Sequence, residues 1–195
     1  MDALFAELDA AGIWHMPLKG IVLQHLYPVY GMRQMSDHDI LFDASRADDV
    51  NRIMEGLGFS TEHFGASNHD VYHKEPVCNF EMHRALFGPG HEEKLYEYYK
   101  DVEKRLLGDG CEKHLCPEDF YLYMTDHEYK HYSNSGTGLR SVLDTYVFLK
   151  RFEDQLDWDY IVKEVEKLGI AEEDTILIKK SEKDWFKRPF AELGE

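Results

Sequence analysis

The segment Ser36-Asp37-His38-Asp39-Ile40-Leu41-Phe42 constrains this chain more than any other. Three consecutive apolar residues following two carboxylates read as a short strand that runs into a core and carries its acids at its mouth. Carboxylates at i and i+2 on a strand share one face, with Cβ atoms about 7 Å apart. Such a pair grips a hard divalent cation, and a cation held there is best used on phosphates. Taken alone, Asp-x-Asp is equally a polar strand end or an Asx turn; its neighbours decide. Upstream, Pro17-Leu18-Lys19-Gly20 reads as a strand-to-helix turn. A glycine there lets backbone N–H groups approach a phosphate, and Lys19 adds a point charge.

The flanking pattern predicts an α/β (α+β) unit with a mixed sheet and flanking helices. An amphipathic helix over 2–11 ends at Gly12, and an extended stretch runs from Ile13 to Lys19. An apolar helix then runs from Gly20 to about Tyr27, before Pro28. Ser45 reads as the N-cap of a helix over 46–57 with Val50, Ile53, Met54 and Leu57 inward, stopped by Gly58. Strands are expected at 59–64, 70–74 and 77–84, and a charged helix at 91–107. From Pro117 the chain reads as helical, over 117–133, 138–153 and 157–168. The expected organisation is a catalytic unit over 1–108, a helical subdomain over 109–170 and a tail over 171–195 with no assigned structure.

A third carboxylate is supplied by Asn79-Phe80-Glu81-Met82-His83. Strand alternation puts Phe80 and Met82 on one face and Glu81 and His83 on the other. On a strand beside 38–42, Glu81 completes a metal site or takes an acceptor proton, with His83 next to it. The competing reading is a half-exposed strand whose outer face is merely solvated, and Glu81 alone does not separate the two. Asn68, His69 and His73 read as surface or core residues near a turn.

His127-Glu128-Tyr129-Lys130-His131 is literally H-E-x-x-H, which on a helix places two histidines on one face with Glu128 as a base. Asp144 is the available further zinc donor. The simpler reading is a polar seam, or substrate-facing wall, formed by His127, Lys130 and His131 with Arg140 and Asp144. The tyrosines at 121, 123, 129, 132 and 146 read first as helical core.

Charge narrows the partners. The chain carries 22 Lys+Arg against 38 Asp+Glu, a formal net charge of −16. A protein that grips long nucleic acid neutralises phosphates with Lys and Arg, so this balance disfavours that class and favours a small, cationic or protein acceptor. The three cysteines, Cys78, Cys111 and Cys116, are odd in number and irregularly spaced. They fit free thiols in a reducing cytoplasm. The acidic, amphipathic opening is unlike a leader peptide, and no apolar run approaches a membrane span.

These residues together resemble the uncharacterised bacterial nucleotidyltransferase-like family of the polymerase-β-like superfamily. The resemblance rests on Leu18-Lys19-Gly20, Tyr27-Pro28, Arg33, Asp37-His38-Asp39-Ile40-Leu41 and Phe80-Glu81-Met82-His83. It continues through His127–His131, Gly138-Leu139-Arg140 and Asp144, covering roughly 12–168. It implies a nucleotidyltransferase-like fold in which Asp37, Asp39 and Glu81 bind Mg²⁺ (or Mn²⁺). Lys19, Gly20 and Arg33 then stand on the phosphate side. The implied activity moves a nucleoside monophosphate from an NTP such as ATP to a hydroxyl acceptor, a small molecule or a protein. The turn reads Lys19-Gly20-Ile21 where the superfamily has Gly-Ser or Gly-Gly, so it offers no hydroxyl. Two other readings are carried forward: a catalytically silent nucleotide-binding module, and a zinc hydrolase using the HEYKH segment.

Overall fold

The computed structural model describes residues 1–76, 78–89, 93–135 and 139–168, and the side chains of these except 129–135 and 139. Two compact units follow one another, Met1–Cys116 and the part from Pro117 onward. Residues 109–116, expected to begin the helical part, instead hydrogen-bond within the first unit. His15 N–H donates to the Cys111 carbonyl at 2.9 Å, Lys113 N–H to the His15 carbonyl at 2.7 Å, and Leu107 exchanges bonds with His114. Short extended pieces close their backbone hydrogen bonds where a partner lies, irrespective of the Gly108-Asp109-Gly110 break.

The first unit is a mixed α+β structure. Helix α1 (Asp2–Ala10) buries Leu4 and Leu8 and ends at Gly12, whose φ of +65° suits glycine. Strand β1 (His15–Pro17) leads into the short helix α2 (Lys19–Leu23), extended by a 3₁₀ turn, Gln24–Leu26. Strand β2 is His38–Phe42, as the apolar run predicts. The next helix departs from expectation at its start. A 3₁₀ turn, Ala44–Arg46, precedes α3 (Ala47–Gly56), and the Asp43 carboxylate caps it by accepting from Ser45 N–H at 3.0 Å. Asp43 therefore takes the capping role expected of Ser45, because the turn begins two residues earlier.

Strand β3 shrinks to Ser60–Thr61, followed by β4 (His69–Lys74) and β5 (Cys78–His83). The charged helix is likewise shorter, α4 (Glu93–Tyr99) with a separate 3₁₀ turn at Val102–Arg105. The five strands lie in the order β1-β2-β5-β4-β3. Strand β2 runs parallel to β5, and the other neighbours are antiparallel. One sheet face is closed by α1 and α3. Ile40, Phe42, Tyr72, Phe80 and Met82 from the strands pack there with Leu4, Leu8, Val50 and Met54.

The second unit contains α5 (Pro117–Ser135), α6 (Leu139–Phe152) and α7 (Trp158–Leu168). Tyr121 stacks on Phe148 with ring centroids 5.9 Å apart and meets Trp158 edge-on at 5.8 Å, so this tyrosine is core. Tyr123 is also buried. Burial drives the Tyr121 phenol well above its ordinary pKa. Among the described residues no helix is long and apolar enough to cross a membrane.

Candidate active site

The sheet face opposite the α1/α3 core carries the acids. The alternation of β2 turns His38 and Ile40 to one side and Asp39 to the other. His38 stacks on Phe80 at 4.9 Å and its Nδ1 lies 3.2 Å from the Asn79 carbonyl oxygen. The parallel register sets Asp39 beside Glu81 and Ile40 beside Met82. Because neighbouring strands put paired residues on the same face, a carboxylate from each strand meets on the non-core side. Glu81, its side chain 28% exposed, lies on this face within a cluster. Asp39, Glu81 and His83 each offer a ligand atom, and these atoms all lie within 4.8 Å of one another.

The cluster is tightly bound within itself. His83 Nε2 is 3.0 Å from Asp39 Oδ1 and 3.7 Å from Glu81 Oε2. With its proton on Nε2, His83 donates to Asp39 and holds that carboxylate in orientation. Lys19, the first residue of α2, places Nζ 3.9 Å from Asp39 Oδ2. The backbone couples the same two positions, Leu18 N–H donating to the Asp39 carbonyl at 2.9 Å. Desolvation holds the Lys19 ammonium below its usual range, against the pull of Asp39, Asp37 and Glu81 and with a further push from Arg33. Burial also raises the Glu81 carboxyl above its usual range. Asp39 and Asp37 add repulsion, while His83 and Lys19 oppose them.

Asp37 is placed differently from expectation. Strand β2 begins at His38, so Asp37 precedes the ladder and is not among the three gathered ligand positions. It acts on the cluster through its field, felt by both Lys19 and Glu81. Gly20 is buried in α2, and a Cβ built on it would stand 2.9 Å from Arg33 Nη1 and 3.6 Å from Met35 Sδ. The absent side chain therefore makes room for the Arg33 guanidinium. Lys19, Gly20, Arg33, Asp37, Asp39, Glu81 and His83 form one neighbourhood.

Sequence reasoning passed over His69. Antiparallel pairing of β4 with β5 sets it opposite His83, with ring centroids 5.1 Å apart, and its Nε2 lies 3.8 Å from Glu81 Oε2. The usable signal is the alternation of His69-Asp70-Val71-Tyr72. Tyr72 is a core residue, and so His69 belongs to the opposite face. Asp70, turned inward, accepts two bonds from Arg84, at 2.9 and 2.7 Å, and one from Gly65 N–H at 2.7 Å.

The HEYKH residues lie in α5. The ring of His127 meets Tyr123 edge-on at 6.3 Å, and the Glu128 carboxylate accepts from the Thr145 hydroxyl of α6 at 3.3 Å. That bond is an inter-helix seam contact. The side chains of Lys130 and His131 lie outside the described residues, so the zinc geometry is not described. Arg140 is exposed, whereas Asp144 is buried.

Residues 1–174 match the model of a family described as uncharacterised nucleotidyltransferase. Among solved structures, the chain is similar to a crystal structure of ANT(2")-Ia in complex with adenylyl-2"-tobramycin. The two share 13% identity and a TM-score of 0.55, over 87% of this chain and 92% of that one. It is also similar to the solution structure of the antibiotic-resistance factor ANT(2'')-Ia, with 11% identity, a TM-score of 0.51, and 98% and 91% covered. At such identities the likeness is one of fold. No curated protein matches the sequence.

Proposed function

This chain belongs to the uncharacterised nucleotidyltransferase family, and from that premise we propose which transfer it performs and with which residues. It moves a nucleoside monophosphate from an NTP to a hydroxyl acceptor, with Mg²⁺ (or Mn²⁺) at the Asp39–Glu81 cluster. The observation that carries this reading is the register that sets Asp39 beside Glu81, with a partly buried Lys19 ammonium 3.9 Å from Asp39. The donor set fits a divalent cation. Two carboxylates whose oxygens crowd within 4.8 Å repel one another, and burial together with that repulsion makes Glu81 bind its proton more tightly. A cation relieves that strain.

Asp39 and Glu81 would hold the metal, with Asp37 adding its field. When bound, it supplies charge neutralisation to the triphosphate and the groups around the reacting phosphorus. Lys19 and Arg33 neutralise the β- and γ-phosphates. In the step itself, the acceptor oxygen bonds to the α-phosphorus and the bond from that phosphorus to its bridging oxygen breaks. Pyrophosphate leaves with the electron pair. The acceptor proton passes to the Glu81 carboxylate. Before a cation binds, His83 keeps Asp39 oriented. Most of the rate comes from positioning and electrostatics, with no covalent enzyme intermediate.

The acceptor is a small molecule or a protein. A net charge of −16 favours a cationic one. Aminoglycosides enter the panel first, because one structure of similar fold carries adenylyl-2"-tobramycin. The test is pyrophosphate release from each NTP with Mg²⁺ and that panel. Wild type should turn over, and Asp39→Asn and Glu81→Gln should lose at least 100-fold. Tight nucleotide binding with no pyrophosphate from any acceptor would favour the silent binding module instead. Stoichiometric zinc lost in His127→Ala would favour the hydrolase.

A further inference from the structure

We infer that His83 is itself a ligand of the divalent cation, so that the site is a mixed nitrogen–oxygen set and prefers Mn²⁺ to Mg²⁺. The inference deepens the reading above and rests on its placing a cation at Asp39 and Glu81. It starts from His83 being the third member of the gathered group, nine-tenths buried at the end of β5. Its Nε2 is aimed between the two carboxylates, 3.0 Å from Asp39 Oδ1 and 3.7 Å from Glu81 Oε2.

The 3.0 Å separation is the one a metal imposes, while the 3.7 Å one is wider. Ligand atoms roughly 2.1 Å from an octahedral cation stand about 3.0 Å apart when adjacent. A cation inserted there meets His83 and Asp39 near the spacing it needs, and Glu81 has to move inward to join them. The ring is held for the purpose by its place on β5, with His69 only a cross-strand neighbour whose ring centroid is 5.1 Å away. His83 Nδ1 is buried without a hydrogen-bond partner among the described residues, so the hydrogen bond to Asp39 is the ring's anchor. Ligation through Nε2 moves the ring proton to Nδ1, which is buried with no protein acceptor among the described residues.

Chemistry then chooses between cations. Mg²⁺ is hard, takes oxygen and holds its waters, whereas an imidazole nitrogen suits softer first-row ions. Mn²⁺ keeps an oxygen-rich octahedral shell and accepts nitrogen as well. His69 approaches Glu81 at 3.8 Å but is not one of the three gathered ligands, which makes it a control one strand away.

The experiment uses the full chain. Mn²⁺ and Mg²⁺ affinities are measured by calorimetry, with and without a non-hydrolysable NTP, and bound Mn²⁺ is examined by electron spin-echo envelope modulation. Wild type should bind Mn²⁺ at least 10-fold more tightly than Mg²⁺ and show nitrogen modulation of the imidazole kind. His83→Gln should lose that modulation and about 10-fold of the preference, while His69→Gln keeps both. The wild-type spectrum decides even if His83→Gln fails to fold. Mn²⁺ bound without nitrogen modulation, in a manner that Glu81→Gln abolishes, would overturn the His83 ligand and leave the carboxylate-held metal standing. Modulation lost in His69→Gln instead would overturn it too. No divalent binding with nucleotide present would overturn both the inference and the metal assignment beneath it.

Discussion

Replacing Glu81 by Gln should stabilise the metal-free protein while abolishing nucleotidyl transfer. The Glu81 and Asp39 ligand oxygens lie within 4.8 Å of each other. Two unit charges at that distance repel by about 3 kcal/mol at an effective dielectric of about 20. Lys19 and His83 offset part of this, and water screens a carboxylate whose side chain is 28% exposed. A net gain on the order of 1 kcal/mol remains, or about 3 °C in Tm. The pH dependence follows from the raised Glu81 pKa. The folded state holds that proton more tightly than the unfolded chain does. This contribution to wild-type stability is complete below the ordinary carboxyl pKa and is lost as pH rises through the raised one. The Glu81→Gln advantage should therefore be small near pH 4 and grow as pH rises toward 7.5. Thermal melts in chelator across that range measure it. A divalent cation should then raise the wild-type Tm and leave the variant unmoved. A variant equal to or less stable than wild type at pH 7.5 without metal would refute the electrostatic account of the cluster.

Lys19→Met removes a cation 3.9 Å from Asp39. Metal binding without nucleotide should tighten, whereas NTP affinity should fall by about 10–100-fold, the worth of a charged hydrogen bond; calorimetry with each ligand separates the two. Arg84→Ala strips two hydrogen bonds from Asp70, which is 2% exposed, and leaves it the bond from Gly65 N–H. Urea unfolding should show a loss of about 3–5 kcal/mol, and Asp70→Asn combined with Arg84→Met should recover part of it. Met82→Ala, on the core face of β5, should cost about 2–5 kcal/mol by the same assay, with the neighbouring Glu81 and His83 still able to bind Mn²⁺.

Local sequence was sufficient wherever one segment decides its own fate. The apolar run after Asp39 specifies β2 to the residue, because Ile40, Leu41 and Phe42 are all buried. Phe80 and Met82 likewise reveal which way Glu81 and His83 turn, since side-chain alternation is a property of one strand. Short elements with few apolar residues were less legible. β3 keeps two residues of six, and the capping of α3 moved from Ser45 to Asp43, because backbone partners outside the segment decide these ends.

What the sequence by itself determined, then, is an acidic chain with a phosphate-side turn, an acid-tipped strand and a second strand carrying a carboxylate and a histidine. Tertiary structure alone decided which of these meet. Parallel register between β2 and β5 puts Asp39, rather than Asp37, beside Glu81. Antiparallel register between β4 and β5 brings His69 to the same edge, and the fold lays Arg33 over Gly20. Register is invisible to periodicity because every even shift of a strand preserves its faces while changing its partners.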